Sequence, residues 1–151
     1  MDKKGINQMS EGYTGYNSNI EIGTRVALIL SALDSKTSLD ELVMLDYALL
    51  YSEEFGGPPN LHPALPNHVA EIAHRREFMP NAIKFLLKRG LIDLIVEKTG
   101  HYYRKNEDTL DFVSCLQSDY FKKSWIRLNW LADNKSKIIK TKIIELAKST
   151  S

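Results

Sequence analysis

The sequence has few of the features that mark secreted, membrane-spanning or disulfide-bonded proteins. Its 151 residues include one cysteine, Cys115, so an internal disulfide is excluded. The longest apolar run, Val26 to Leu30, is far shorter than the roughly 20 residues that span a bilayer. The first residues also lack the apolar segment of a signal peptide. We therefore expect a cytoplasmic protein, in which Cys115 is a buried and unreactive thiol.

Known catalytic signatures are missing as well. The chain has no GxxxxGK[ST] phosphate loop and no GxSxG nucleophile elbow. Its histidines are not spaced as metal ligands, because His68 and His74 fall on different faces of a helix and no HExxH or CxxC motif is present. Acidic residues that are adjacent in the sequence point apart on a helix and do not form an acid/base pair. We expect no metal, no cofactor and no enzymatic activity.

Charge is unevenly distributed, although its sum is only +1. Between Asp34 and Glu54, six acidic residues accompany a single lysine, Lys36. From Tyr120 onward, eight basic residues accompany two acidic ones. Such asymmetry suits docking between complementary surfaces, or a basic tail that lies on phosphate. Two well-solvated helix faces are the alternative.

Hydrophobic periodicity predicts two helices after a flexible N-terminal arm, residues 1–18. The first runs from about Ile20 to Leu33 along one apolar stripe, with Asn19 as its N-cap. The second begins at a capping box, in which Ser38 is followed three residues later by Glu41. It is apolar over more than half of its circumference, so it is either buried or gives one face to a partner.

A segment rich in proline and glycine, Phe55 to Pro66, then excludes regular secondary structure. Its apolar residues predict that it packs onto the protein. Asn67 caps a helix that reaches about Glu77. Pro80 marks a kink or the start of a further helix, which ends at Gly90.

The sequence after Gly90 predicts a β-hairpin. Leu91 to Val96 and His101 to Arg104 are strand-like, and Lys98-Thr99-Gly100 is a turn signal between them. A helix that ends in glycine and is followed by such a hairpin is the pattern of a winged helix-turn-helix, with the hairpin as its wing.

Helices are predicted for the rest of the chain. A short one covers Thr109 to Ser118, and a long basic one runs from Asp119 to Lys148 with a break near Asp133-Asn134, leaving Trp130 partly exposed. The predicted fold is mainly α (α+β). It comprises a winged helix-turn-helix domain over residues 19–118 and a basic C-terminal helical extension over residues 119–151.

Winged helices commonly bind DNA, so the basic residues of these elements are candidate phosphate contacts. Among the exposed residues of the last winged-domain helix, only Asn81 is typical of base reading. We therefore favour protein docking over sequence-specific DNA reading. The candidate DNA contacts are Lys84, Lys88, Arg89, Arg104, Lys105, Lys137, Lys140 and Lys142.

Residues Tyr16 to Asn134 resemble the middle component of ABC-three-component systems of the second type. The matching stretches are YNSNIEIGTRVALILSAL, LVMLDYALLYSEEFGGPPNLHPALP, RREFMPNAIKFLLKRGLID and the residues Trp130 to Ala132. The most specific element is LDY followed by GGPP-x-LHP-x-LP, because so unusual a string rarely recurs by chance.

The resemblance implies a small non-catalytic subunit that bridges an SMC- or Rad50-like ATPase and an effector, often a nuclease. Lamassu-type systems against phages and plasmids are built this way. DNA would be reached mainly through the complex, with no membrane involved. The candidate partner-binding residues are Phe55, Gly56, Gly57, Pro58, Pro59, His62, Arg75 and Arg76.

Alternatives to this interpretation stay open at the sequence level. The proline-rich segment is either a partner interface or a structural strap that closes over the first two helices. The whole protein is alternatively a winged-helix transcription regulator that binds DNA, or a subunit that clamps DNA through the lysines after Asn134.

Overall fold

The computed structural model describes residues 18–63 and 67–141, with His68 by its backbone alone. This part of the chain forms a mainly helical α+β structure of six α-helices and a small antiparallel sheet. The elements are α1 (Asn19–Ser31), β1 (Thr37–Ser38), α2 (Leu39–Leu50), α3 (His68–Lys88), β2 (Asp93–Glu97), β3 (Gly100–Arg104), α4 (Glu107–Ser114), α5 (Asp119–Asp133) and α6 (Lys135–Lys140). The predicted N-terminal arm, except for residue 18, and the predicted helix beyond residue 141 lie outside the described residues.

Side-chain caps fix where the first two helices begin. The Ser18 hydroxyl accepts a hydrogen bond of 3.1 Å from the Glu21 backbone N–H, so Ser18 is the N-cap of α1 and the prediction of Asn19 was wrong. The predicted capping box of α2 is confirmed. Glu41 N–H donates to Ser38 Oγ at 3.2 Å, and Ser38 N–H donates to Glu41 Oε1 at 2.9 Å.

Helix α3 is continuous, so the prediction of two helical pieces was wrong. Asn67 caps it as predicted, accepting from Ala70 N–H at 2.9 Å. Pro80 lies inside the helix, where proline typically costs about 3 kcal/mol or more. Burial of the neighbouring Met79 and Ile83 against the core offsets that cost.

The sheet has the strand order β1–β3–β2. The predicted hairpin of β2 and β3 is confirmed, with Leu94 opposite Tyr103 and Glu97 opposite Gly100. Strand β1 was not predicted; it places Thr37 opposite Tyr103. Among the described strands, β2 is an outer one and β3 is central.

From α1 to β3 the elements follow the order helix, strand, helix, helix, strand, strand. A helix-turn-helix joins its two helices through about three or four residues. Here residues 51–67 separate α2 from α3, so that tight turn is absent. The winged helix-turn-helix assignment therefore stays a prediction.

One core unites the helices from both ends of the described chain. Helices α1 and α2 are buried along most of their length, which confirms the core interpretation of α2. Leu128 and Leu131 of α5 and Ile138 of α6 belong to the same core. Cys115 is exposed where α4 ends, so the prediction of a buried thiol was wrong.

No helix in residues 18–63 or 67–141 is both long and apolar enough to cross a membrane.

Candidate functional site

A buried carboxylate joins the first three helices. Asp46 of α2 is fully buried and accepts from Arg25 of α1, with Nε at 2.6 Å and Nη2 at 3.2 Å. It also accepts from Nε of Arg75 on α3 at 2.9 Å. Both guanidinium groups are buried, so one carboxylate holds two charges from two different helices.

Two further groups complete this charge cluster. Arg75 forms an ion pair with Glu71, one turn earlier on α3, so two positive charges meet two negative ones. Arg25 Nη1 donates to the Tyr120 hydroxyl of α5 at 3.2 Å. The cluster therefore connects α1, α2, α3 and α5.

The electrostatics of the cluster favour its charged state. Burial alone would raise the pKa of Asp46, but attraction to Arg25 and Arg75 and their hydrogen bonds hold that pKa below its ordinary value. Burial likewise opposes the charge of Arg25, and Asp46 and Tyr120 outweigh it, so the pKa of Arg25 is raised.

His62 lies beside this cluster in a buried position that favours its neutral form. Its ring lies 5.9 Å from the Tyr51 ring and 6.0 Å from the Tyr120 ring, measured between centroids. Burial, followed by the charges of Arg25 and Arg75, lowers the pKa of His62 to about 4. Burial also raises the pKa of Tyr51 to about 12, with a further contribution from Glu71.

The segment between α2 and α3, of which residues 51–63 are called the GGPP strap below, is tied to the C-terminal helices. The Pro59 carbonyl accepts from Nε and Nη2 of Arg127 on α5, at 3.0 and 2.7 Å. The Phe55 carbonyl accepts from Lys137 Nζ on α6 at 3.1 Å. Within the strap, Ser52 Oγ donates to the Pro58 carbonyl at 2.7 Å.

The structure explains why both positions of the strap are glycine. Gly56 has φ +76°, a left-handed conformation that other residues adopt at a cost. Gly57 lies against Trp130 of α5, and a Cβ at position 57 would come within 2.3 Å of its ring. Trp130 is half-buried, as predicted.

The partner-binding residues predicted from the sequence divide between interior and surface. Phe55, His62 and Arg75 are buried inside the protein. Pro59 is exposed, and Arg76 is half-exposed and pairs with Asp40 at 3.5 Å. These contacts favour the structural-strap interpretation; partner binding by these residues stays a prediction, and residues 64–66 lie outside the described part.

Three of the predicted DNA contacts meet in one open pocket of about 240 Å³. It is formed by the C-terminal half of α3 and the start of α1. Its lining residues are Asn19, Asn81, Lys84, Phe85, Lys88 and Arg89.

The other candidate DNA contacts are dispersed, and several bind the protein itself. Lys105 Nζ donates to the Ser31 carbonyl at 3.3 Å and contacts the Asp34 carboxylate at 3.1 Å. Arg104 donates to the Asp34 carbonyl at 3.1 Å. Lys137 binds the strap as described above, and Lys140 is exposed on α6. Lys142 lies outside the described residues.

Two pairs of large apolar side chains are exposed. The wing patch consists of Leu94 and Val96 on β2, which are 44% and 66% exposed. The α5 patch consists of Trp125 and Ile126, which are 40% and 73% exposed. Neither pair was predicted to be exposed; the apolar spacing of Trp125 with Leu128 had indicated a buried position for Trp125, which was wrong.

Comparison with known protein families decides the identity of the chain at family level. Residues 15–151 match the profile of the ABC-three component (ABC-3C) system Middle Component 2. The chain belongs to this family. It is thus a middle component of an ABC-3C defence system, whose other subunits are its partners. Comparisons with curated proteins and with solved structures gave no match.

In this middle component, the stretches that carry the resemblance contribute residues to the charge cluster and to the strap. The LDY string supplies Asp46 and also Tyr47, whose hydroxyl donates to Glu54 Oε1 at 2.7 Å. The GGPP string forms the contact with Trp130. Sequence reasoning missed Arg25, although a charge among the apolar residues of α1 was a signal for it.

No group of three or more histidine, cysteine, aspartate or glutamate residues suited to a metal ion occurs in the described ranges.

Proposed function

We propose that this middle component is a non-catalytic bridge that binds the SMC- or Rad50-like ATPase of its system through one surface and the effector nuclease through another. Membership of a three-component family supports the proposal, because it requires partner subunits. The sequence offers no phosphate loop of its own, so nucleotide chemistry falls to the ATPase.

The observation that carries the proposal is the α5 patch. Helix α5 turns Leu128 and Leu131 into the core, yet it leaves Trp125 and Ile126 side by side in solvent. Tryptophan is among the residues that contribute most binding energy at protein interfaces. The adjacent lysines, Lys122 and Lys123, are also exposed, so the patch suits an apolar surface with an acidic rim.

A bridge needs a second surface, and the wing patch supplies a candidate. Leu94 and Val96 lie on β2, on the outer side of the described sheet, where a strand or an apolar surface of another subunit has access. The two patches are on different elements: α5 packs on α1 and α2, whereas the hairpin packs on β1 and α2.

The experiment is co-purification of the three co-expressed subunits with a tag on the ATPase. We expect Trp125→Ala with Ile126→Ser to release one neighbouring subunit, and Leu94→Ser with Val96→Ser to release the other. Leu110→Ser is the matched control, since Leu110 is 47% exposed outside both patches. Retention of all subunits by both double variants would refute the two-surface bridge.

We further propose that the fold is a variant of the winged helix in which the tight turn is replaced by the GGPP strap. The order of elements and the hairpin wing support it. A free transcription regulator of this class is the second candidate function, favoured by the basic pocket on α3. Selection of one defined sequence from a random DNA library would support the regulator and count against the bridge.

A further inference from the structure

We infer that the pocket between the start of α1 and the end of α3 is a binding site for the phosphate backbone of DNA, separate from the surfaces that bind the other subunits. Its charge is the first argument. Three cationic side chains, Lys84, Lys88 and Arg89, line it, and no carboxylate is among its lining residues in the described part of the chain. Two amides, Asn19 and Asn81, add hydrogen-bond donors.

The spacing on α3 produces this convergence. Asn81, Lys84 and Lys88 are three and four residues apart, so they lie along one face of the helix. The same face meets Asn19, the first residue of α1, at the helix N-terminus, where the helix dipole carries a partial positive charge. A phosphate entering the pocket would meet charge from both helices.

Among the described residues, the pocket lysines have no ion-pair partner. No ion pair between described residues involves Lys84 or Lys88, and both are exposed. Two other candidate DNA contacts differ: Lys105 and Lys137 both bind backbone carbonyls of their own chain. The pocket therefore holds a concentration of positive charge that no ion pair within residues 18–63 and 67–141 neutralises.

Arg89 is held in place before any ligand binds. Its guanidinium carbon lies 3.9 Å from the centroid of the Phe85 ring, and Nη1 donates to the Phe85 carbonyl at 3.5 Å. Stacking of this kind fixes the side chain and lowers the entropy that it loses on binding. It also covers one face of Phe85, the one aromatic ring among the described residues that line the pocket.

This arrangement favours a nucleic-acid backbone over a base. Base stacking needs an accessible aromatic face, and the pocket offers only the ring that Arg89 already covers. Lysine binds phosphate as a point charge, and contacts with phosphate carry no sequence information. The site is expected to bind duplex DNA without regard to sequence and with a strong dependence on salt.

The test is fluorescence anisotropy of the full chain with two labelled duplexes of unrelated sequence, titrated over a range of KCl concentrations. We expect equal affinity for both duplexes. The plot of log K against log [KCl] has a negative slope. Lys84→Gln with Lys88→Gln should make this slope shallower by about 2, because each lost phosphate contact removes about one unit of its magnitude. Lys122→Gln with Lys123→Gln is the charge-matched control and should leave the slope nearly unchanged.

Three outcomes would overturn the inference. The first is that the unaltered chain does not bind DNA, and the second is that both double variants lose the same amount of salt dependence. The third is that ATP at an equal phosphate concentration displaces the duplex completely, which would show a site for small phosphates. Thermal unfolding of each variant establishes that the fold is intact, as expected for exposed side chains. Co-purification of the Lys84→Gln, Lys88→Gln variant with the other subunits should be unaffected, because neither lysine belongs to the α5 patch or the wing patch, so this test is independent of the bridge.

Discussion

Gly57 and Trp130 are in direct contact across the interface between the strap and α5, leaving no room for a side chain at position 57. A Cβ there would come within 2.3 Å of two ring atoms of the indole. A side chain at position 57 would therefore force the strap or the Trp130 ring to shift. The glycine of the family string is thus explained by packing inside the protein.

Substitution of Gly57 by alanine is expected to destabilise the protein. The added methyl group overpacks the contact, which typically costs about 1–3 kcal/mol. Urea unfolding measures the loss, and truncation of Trp130 to alanine in the same chain should abolish most of it as a coupling energy.

Gly23→Ala is the matched control, because a Cβ at position 23 would lie at an ordinary contact distance of 3.4 Å from Phe85. In helix α1 that change should be neutral or slightly stabilising. Equal stability of the Gly57→Ala and Gly23→Ala variants would contradict the packing argument. A variant with alanine at all four positions of the GGPP string is therefore expected to disturb the fold. Loss of partner binding in such a variant would not show that the string contacts a partner.

Substitution of Asp46 by asparagine is expected to be severely destabilising. It leaves the buried charges of Arg25 and Arg75 without their shared carboxylate, and breaking a buried ion pair in this way costs about 3–5 kcal/mol. Chemical denaturation measures it. Asp40→Asn removes the exposed pair with Arg76 and should change stability by no more than about 1 kcal/mol. Similar losses in the two variants would show that the cluster does not organise the core.

His62 should make stability depend on pH in a defined window. In the unfolded chain it takes up a proton below its ordinary pKa of 6.5, whereas in the folded protein it does so only below about 4. Between these values the unfolded state binds more protons, so stability falls as the pH is lowered from 6.5 to 4. The slope from this residue approaches about 1.4 kcal/mol per pH unit.

Unfolding free energies across that window check the prediction. His62→Asn should remove this part of the slope, whereas His101→Asn, at an exposed position on β3, should retain it. Asp46 affects the free energy of unfolding at lower pH. Its pKa is below its ordinary value, so its contribution to stability is lost only as that carboxylate takes up a proton. An unchanged slope in the His62→Asn protein would mean that the ring is already protonated near pH 6.

Local signals predicted much of the fold. The capping box of Ser38 and Glu41, the cap at Asn67 and the turn before β3 are all confirmed, because each depends on residues close in the sequence. Strand β1 could not be found this way, since it is two residues long and exists only by pairing with β3. The continuity of α3 through Pro80 was also hidden, because burial of its neighbours overrides the local rule.

The candidate sites were less predictable for the same reason. Arg25 and Asp46 are 21 residues apart in the sequence, and nothing local tells that their charges meet in the interior. The charge of Arg75 indicated a surface position in the sequence, yet the side chain is buried and binds Asp46. By contrast, Lys84 and Lys88 were identified correctly as exposed, because helical spacing alone sets their common face.

The bridging role is tested most directly by reconstitution from the purified ATPase and effector, with and without this middle component, observed by size-exclusion chromatography. The account predicts that the ATPase and the effector co-elute only when the middle component is present. Equal co-elution of the ATPase and the effector without the middle component would contradict the account.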